Sequence, residues 1–227
     1  MKQHGQQKRI DDLSVVIQAG GESRRMGRPK ATVPFLGRPL IQQSINNLLP
    51  IAGELIVTTN DIEGTKAALP EKEFAQIRFE KDIRNERSSL NGLLTALSTA
   101  HKPYVALSAC DMIFASADLF VFEYNLMKQG DFDLVIPADS NGFEPFHAIY
   151  RKETCLPLVE AALDAGERKM SSWFPDSKLH EVSRNDILSI CPQGGTFINL
   201  NTPDELKRIE DRITQGAFVQ QQERQDS

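Results

Sequence analysis

The chain reads LSVVIQAGGESRRMGRPK over residues 13–30, and this stretch decides the fold class. Its first six residues are mostly apolar and rich in β-branched side chains, which is typical of a strand buried on both faces. Two adjacent glycines, Gly20 and Gly21, follow and allow the backbone to turn tightly. A buried strand that ends in a glycine turn predicts an α/β protein, with the turn at the carboxyl edge of a parallel sheet.

Strand and helix patterns alternate as far as residue 136. Short β-branched runs and apolar residues at helical spacing succeed one another, which is typical of right-handed βαβ units. Helices are predicted over residues 38–49, 65–69, 88–100 and 119–128, and strands over residues 54–59, 76–79, 104–108 and 133–136. The pattern predicts a Rossmann-like, three-layer sandwich with a mostly parallel central sheet.

The second part of the chain has a mixed pattern. The elements predicted there are a strand over residues 146–150, a helix over 155–165 and a strand over 196–200. A last helix is expected to begin after Thr202, because Thr202, Pro203 and Glu205 have the spacing of a capping box with proline in the first turn.

The composition is that of an ordinary globular protein. The chain has 227 residues, of which 40% are hydrophobic and 25% charged, and its formal net charge is −5. DNA, RNA and anionic membranes favour a basic surface, so none of them is an expected partner. The three cysteines form no CxxC pair and the amino terminus has no apolar run, so a cytoplasmic protein is expected. Residues 11–215 are expected to form one domain, between a disordered tail at 1–10 and a flexible tail at 216–227.

The glycine turn carries a concentrated positive charge. Arg24, Arg25, Arg28 and Lys30 stand against the single anion Glu22, so residues 22–30 have a formal charge of +3. Backbone N–H groups exposed by glycines, together with guanidinium and ammonium groups, favour phosphate binding. The stretch lacks the Gly-Lys-Ser/Thr of a Walker A loop and the spacing of a GxGxxG dinucleotide fingerprint. The alternative is a solvated turn with surface arginines.

A carboxylate is expected opposite this turn. Asp111 follows the predicted strand at residues 104–108. With the strand order 3-2-1-4 of Rossmann-like sheets, that strand lies beside the first one and Asp111 faces the glycine turn. One carboxylate beside a polyphosphate suits Mg²⁺, which otherwise takes phosphate oxygens and water. Asp111 is therefore the candidate metal ligand, and its alternative role is to cap the next helix.

Several motifs can be compared with known families. Near the amino terminus stands Ala19-Gly20-Gly21-x-x-x-Arg25-Met26-Gly27-x-x-Lys30. Further along stand Cys110-Asp111-Met112, Glu144-Pro145 with Ala148-x-Tyr150, Ala165-Gly166-Glu167-Arg168 and Phe197-Ile198-Asn199-Leu200-Asn201-Thr202-Pro203. Together these stretches resemble the MobA-like nucleotidyltransferases. The resemblance implies a fold of the nucleotide-diphospho-sugar transferase type and an enzyme that transfers GMP from GTP to molybdopterin, releasing pyrophosphate.

The resemblance also implies roles for individual residues. The residues implied to bind the nucleotide are Gln18, Ala19, Gly20, Gly21, Lys30, Thr58 or Asn60, Asp82 and Asp111. Arg25, Lys30 and Asp111 are implied to be catalytic, with Asp111 holding Mg²⁺. Asn199 and Asn201 are implied to bind molybdopterin, and a turn or strand-edge role is the alternative for both. Candidate partners beyond the substrates are other proteins of cofactor biosynthesis and the apo-enzymes that receive the cofactor.

The sequence departs from the family pattern in three places. Gln18 stands where the family usually has leucine, Ile113 replaces a common proline, and Ser88-Ser89-Leu90-Asn91-Gly92 replaces Gly-Pro-Leu-x-Gly. The Gly-Asp-x-Gly-Ala element of many CTP-using relatives is absent from the sequence. Two alternatives stay open: a cytidylyl or other nucleotidyltransferase acting on a different phosphorylated small molecule, and a non-catalytic nucleotide-binding domain of the same fold.

Overall fold

A computed structural model describes residues 8–20, 29–86 and 88–215. The strands within these residues are β1 (Ile10–Gln18), β2 (Pro34–Phe35), β3 (Arg38–Pro39), β4 (Ala52–Thr58), β5 (Ile77–Glu80), β6 (Tyr104–Ala109), β7 (Leu134–Asp139), β8 (Gly142–Phe143), β9 (His147–Arg151) and β10 (Leu179–Val182). The α-helices are α1 (Leu40–Leu48), α2 (Ile62–Ala67), α3 (Glu71–Phe74), α4 (Ser89–Thr99), α5 (Ala117–Gln129), α6 (Lys152–Asp164), α7 (Arg184–Ile190) and α8 (Pro203–Thr214). Single turns of 3₁₀ helix cover Lys30–Thr32, Leu49–Ile51 and Phe174–Asp176.

The central sheet has the order β10-β7-β9-β6-β1-β4-β5, with β8 added beside β7. Strand β9 pairs antiparallel with both β6 and β7, whereas β1 pairs parallel with β4 and with β6. Four neighbouring strands of this order, β5-β4-β1-β6, have the predicted 3-2-1-4 arrangement. The predicted mostly parallel sheet and the predicted contact between the first strand and the strand before Asp111 are therefore confirmed.

Helices cover both faces of the sheet because the side chains of β1 alternate between two apolar clusters. Val15 and Ile17 pack with residues of α1 and α5 on one face. Val16 packs with residues of α4 and α6 on the other face. All three side chains are completely buried, and the expected three-layer sandwich follows from this two-sided burial.

A third apolar cluster joins the carboxyl-terminal helix to the β2–β3 hairpin. Leu206 and Ile209 of α8 pack with Phe35 and with Ile113, which lies in the segment after β6. The predicted capping box is present: Glu205 N donates to Thr202 Oγ1 at 3.2 Å, and the Glu205 carboxylate accepts from Thr202 N at 3.0 Å. The apolar cluster places α8 against the β2–β3 hairpin and the segment that follows β6.

The strand predicted over residues 196–200 does not form. The segment lies against the residues that follow β6, where Leu200 N donates to Asp111 O at 3.3 Å. An alternating apolar pattern makes a strand only where a sheet edge is available to pair with it, and here the neighbour is a loop.

Sequence reasoning also missed β10 and α7. Strand β10 is a short edge strand with Val182 as its one buried residue, although Ser183 and Asp186 could have indicated the helix start that they form.

Among the described residues, no helix is both long enough and apolar enough to cross a membrane.

Candidate functional site

The first, fourth and sixth strands end together at the carboxyl edge of the sheet. In the strand register, Gln18 is paired with Thr58 of β4 on one side and with Ala109 of β6 on the other. The ladder continues one residue further, since Ala19 N donates to Thr58 O at 2.8 Å and Cys110 N donates to Gln18 O at 2.9 Å. The residues that follow these three strands therefore share one edge, although they come from distant parts of the sequence.

Lys30, Asp111 and Asn201 meet at this edge. The Lys30 ammonium forms an ion pair with Asp111 Oδ2, and it also donates to Asn201 Oδ1 at 2.8 Å. The Lys30 and Asp111 side chains are 16% and 13% exposed, so the pair is largely shielded from water. Partial burial strengthens an ion pair that would contribute little on the surface.

The segment that carries Asp111 is held by two side chains of α1. On α1, Ser44 Oγ donates to Cys110 O at 3.3 Å and Asn47 Nδ2 donates to Ile113 O at 2.9 Å.

Asp111 does not cap the following helix. The cap is Ser116, whose hydroxyl oxygen accepts from Leu119 N at 3.2 Å, so the Asp111 carboxylate faces Lys30 instead.

His147 supports the same segment from inside the core. His147 Nε2 accepts from Ser116 N at 3.2 Å, and Nδ1 lies 3.1 Å from Glu123 Oε1. Both side chains are completely buried, which lowers the pKa of His147 to about 3 and raises that of Glu123 well above its usual range. His147 is therefore uncharged at neutral pH, and it is a satisfied core residue rather than an acid or base.

A second polar cluster lies beyond the first strand. Asn60 Nδ2 donates to Asp82 Oδ2 at 2.8 Å. A Cβ atom built on Gly20 would lie 3.7 Å from the same carboxylate oxygen. The structure therefore brings together three of the predicted residues, Gly20, Asn60 and Asp82. Thr58, the alternative to Asn60, is buried at 1% exposure.

Gln18 occupies a notch opposite α4. A Cβ atom built on Gly92 would lie 2.2 Å from Gln18 Nε2, so the missing side chain at Gly92 makes room for the glutamine amide. Gln18 Nε2 is buried and has no hydrogen-bond partner among the described residues. A buried donor without a partner is costly, and a ligand that accepts from it would remove that cost.

The residues around Lys30 fit a magnesium ion. Asp111 and Asn201 already direct two oxygen atoms at one cation, the Lys30 ammonium. In the described part of the chain, no group of three or more His, Cys, Asp or Glu side chains is arranged to hold a metal. A site with one carboxylate and one amide oxygen suits Mg²⁺, which completes its shell with phosphate oxygens and water.

Comparison with known proteins identifies the family. The family model described as the MobA-like NTP transferase domain matches residues 15–182, which run from within β1 to the end of β10. The chain belongs to the MobA-like NTP transferase family. The match spans Lys30, Asp82 and Asp111, and it ends before Asn201.

Individual relatives resemble this MobA-like chain over most of its length. The probable molybdenum cofactor guanylyltransferase of Natronomonas pharaonis is 32% identical over 203 residues, which is 88% of this chain and 97% of the relative. Molybdopterin-guanine dinucleotide biosynthesis protein A of Archaeoglobus fulgidus superposes with a TM-score of 0.75 at 23% identity, covering 89% of this chain and 99% of that structure.

A more distant structural neighbour is 4-diphosphocytidyl-2C-methyl-D-erythritol synthase of Anaerococcus prevotii. Its TM-score is 0.66 at 16% identity, over 89% of this chain and 96% of the neighbour. At such identity the likeness concerns the fold alone. The expected nucleotide-diphospho-sugar transferase fold is confirmed by these neighbours.

Some of the predicted site residues of this MobA-like chain do not join either cluster. Gly21 and Arg25 lie outside the described residues, as do Arg24 and Arg28, so their assignment to phosphates stays a prediction. Asn199 is exposed, and its Nδ2 donates to Phe197 O at 3.4 Å. Asn201, expected near the pterin, contacts Lys30, and sequence spacing alone carried no signal for that contact.

Proposed function

We propose that the chain transfers GMP from GTP to the terminal phosphate of molybdopterin and releases pyrophosphate. The observation that carries the proposal is the cluster of Lys30, Asp111 and Asn201 at the carboxyl edge of a nucleotidyltransferase sheet. Relatives named molybdenum cofactor guanylyltransferase, similar over almost their whole length, support the choice of substrates.

The reaction is an in-line displacement at phosphorus. A phosphate oxygen of the acceptor forms a bond to the α-phosphorus of GTP, and the bond from that phosphorus to the oxygen bridging to the β-phosphorus breaks. Pyrophosphate leaves with the electron pair of the broken bond. A phosphate monoester is largely dianionic near neutral pH because its second pKa is ~6, so no general base is required. The burial and uncharged state of His147 agree with that scheme.

Catalysis in this scheme consists of positioning and charge neutralisation. The Lys30 ammonium, held by Asp111 and Asn201, stands at the edge where the phosphates are proposed to lie. Arg25 would add a second positive charge from the glycine turn. Asp111 and Asn201 are the residues that would hold Mg²⁺, which when bound neutralises phosphate charge and polarises the phosphorus–oxygen bonds.

The nucleoside half of GTP is assigned to the second cluster. Ala19, Gly20 and Gly21 would offer backbone groups to the base and ribose. Asn60 and Asp82 would supply an amide and a carboxylate, the kinds of group that bond to ribose hydroxyls and base edges. Gln18 would offer its unpartnered amide nitrogen to an acceptor on the base. Asn199 and Asn201 lie in the segment before α8, and both are assigned to contacts with the pterin half of the acceptor.

Location and organisation complete the proposal. We place the reaction in the cytoplasm, with residues 11–215 as one catalytic domain and short tails on either side. Proteins that supply molybdopterin or receive the product are candidate partners, since the product must reach an apo-enzyme.

Nucleotide-dependent stabilisation and product formation test the proposed function. A ligand that binds only the folded chain raises its melting temperature, so GTP with Mg²⁺ should stabilise it more than CTP, ATP or UTP. With molybdopterin added, GTP should yield pyrophosphate and a guanylated product detectable by mass spectrometry. The alternative cytidylyl activity predicts stabilisation by CTP instead, and the alternative binding domain predicts stabilisation by GTP without pyrophosphate release.

A further inference from the structure

Residues 82–86 form an irregular loop between β5 and the start of α4, and this loop carries Asp82. The Asp82 carboxylate accepts from Asn60 Nδ2 at 2.8 Å and lies close to Gly20. Because the loop has neither helical nor strand hydrogen bonds of its own, neighbouring side chains must fix its position. The identity of those side chains determines how accurately Asp82 is presented to a ligand.

Asn91 is the main anchor of this loop. It is the third residue of α4 and is only 1% exposed. Its side-chain nitrogen donates to Arg84 O at 3.0 Å and to Glu86 O at 2.7 Å, so both amide hydrogens are used on the loop. Its backbone N donates to the capping Ser88 Oγ at 3.1 Å, which fixes the first turn of the helix from which the side chain reaches out.

Thr95, one helical turn after Asn91, forms a further hydrogen bond to the loop. Ile83 N donates to Thr95 Oγ1 at 3.2 Å, and the Thr95 hydroxyl donates to Asn91 O at 3.0 Å. Asn91 and Thr95 therefore bond to backbone groups of three of the four loop residues that follow Asp82. The bonds to the loop are partly buried and the Thr95–Asn91 bond is fully buried, and losing a partner there is more costly than on the surface.

Two ion pairs hold the outer side of the loop. Arg84 Nη2 lies 2.9 Å from Oδ1 of Asp164, the last residue of α6. The Glu86 carboxylate forms an ion pair with the Arg168 guanidinium. Arg168 belongs to the Ala165-Gly166-Glu167-Arg168 stretch, which had no assigned role in the reaction. The four side chains are between 30% and 67% exposed, so these pairs contribute less than the buried amide bonds of Asn91.

We propose that Asn91 is a positioning residue for the nucleotide: its amide holds residues 82–86 so that Asp82 stays beside Asn60 and Gly20. Asn91 does not touch the substrate and acts through the loop backbone. This inference rests on the proposed function, because it assigns the nucleoside half of the substrate to Asp82. It also gives a reason for asparagine at the variable position of the Ser88-Ser89-Leu90-Asn91-Gly92 stretch.

The variant Asn91→Asp separates this role from a general effect on folding. It keeps the size of the side chain but loses both donors and places a carboxylate against two carbonyl oxygens. A negative charge in the first turn of a helix is favourable, so α4 itself should tolerate the change. Asn46→Asp on α1 is the matched control, since Asn46 is exposed and its side chain accepts from Gln42 within the same helix.

Calorimetric binding of GTP with Mg²⁺ and steady-state kinetics test the proposal. Asn91→Asp should weaken GTP binding about 10-fold and raise KM for GTP by a similar factor, with kcat changed less than about 2-fold. Amide hydrogen exchange at Ile83 should be faster in Asn91→Asp than in the wild type, because the variant no longer donates to Arg84 O and Glu86 O and the loop is then held less firmly against Thr95. Asn46→Asp should match the wild type in both measurements.

The outcomes distinguish this inference from the proposed function. A wild-type chain that binds GTP, together with an Asn91→Asp variant of equal affinity and equal exchange at Ile83, overturns the role of Asn91. A variant whose kcat falls as much as its KM rises also overturns it, because the defect would then extend to the reacting groups. A folded wild-type chain that binds no GTP overturns the proposed function itself.

Discussion

The Lys30 ammonium is paired with the Asp111 carboxylate, 81 residues further along the chain. The pair joins a turn that follows the first strand to the end of a strand beside it. It places the two residues that the sequence assigns to phosphate and metal in direct contact. Asn201, from the segment before α8, accepts a hydrogen bond from the same ammonium group. The Lys30 ammonium thus lies at the carboxylate that would hold Mg²⁺.

Removal of either charge should abolish most of the activity. We expect Lys30→Ala and Asp111→Ala each to lower GMP transfer by ~10²-fold or more, in the range for a lost electrostatic group at a reacting phosphate. Initial rates of pyrophosphate release measure the effect. Lys66→Ala removes a lysine from an exposed pair with Glu63 and should leave the rate unchanged. Near-wild-type turnover by both site variants would contradict their assignment.

Asn201 and Asn199 should differ in their effects, because the Lys30 contact is made by Asn201. Asn201→Ala removes the 2.8 Å hydrogen bond to the ammonium and should lower kcat by about 10-fold. Asn199→Ala is expected to raise KM for molybdopterin while kcat stays near the wild-type value. Steady-state kinetics with each variant provide the comparison, and equal effects on kcat would show that the Lys30 contact is unimportant.

Gly92 should be essential for the position of Gln18. In Gly92→Ala the new methyl group would lie 2.2 Å from Gln18 Nε2, so the glutamine must move and GTP binding should weaken. The fold should survive, since alanine favours a helix over glycine by ~1 kcal/mol. In a Gln18→Ala background, Gly92→Ala should have no additional effect on the GTP dissociation constant. A further loss in the double variant would point to a cause other than the glutamine.

Acid should destabilise the fold through His147. Burial lowers its pKa to about 3 in the folded chain, whereas an unfolded histidine titrates near 6.5. Between these values only the unfolded chain binds the proton, so this contribution to stability is complete above pH 6.5 and decreases as the pH falls. The slope is at most about 1.4 kcal/mol per pH unit.

The variant His147→Gln isolates this contribution. Glu123 has a raised pKa and acts in the opposite direction above pH 4.5, but it is present in both proteins. Urea unfolding at several pH values between 4 and 7 should give the wild type a growing advantage in the free energy of unfolding as pH rises. A constant difference across that range would mean that His147 is not the titrating group.

Local patterns determined much of this fold. The run at residues 13–18, the helical spacings and the Thr202–Glu205 capping pattern depend on side chains near in sequence, and they predicted β1, most of the helices and the start of α8. Because parallel strands end at one edge, the order 3-2-1-4 also predicted that Asp111 lies beside the glycine turn. The pattern was wrong at residues 196–200, since no strand edge is available there.

By itself, the sequence determined the fold class, the family resemblance and the choice of Lys30 and Asp111, because strand periodicity and motif spacing are properties of short stretches. Asp82 was chosen only through what the resemblance implies. Only the tertiary structure decided that Asn201 contacts Lys30, 171 residues away, and that Gly92 makes room for Gln18. The tertiary structure alone revealed that Asn91 donates two hydrogen bonds to the loop that carries Asp82. These contacts depend on how loops and helices pack across the sheet edge, and no periodicity of a linear sequence records that packing.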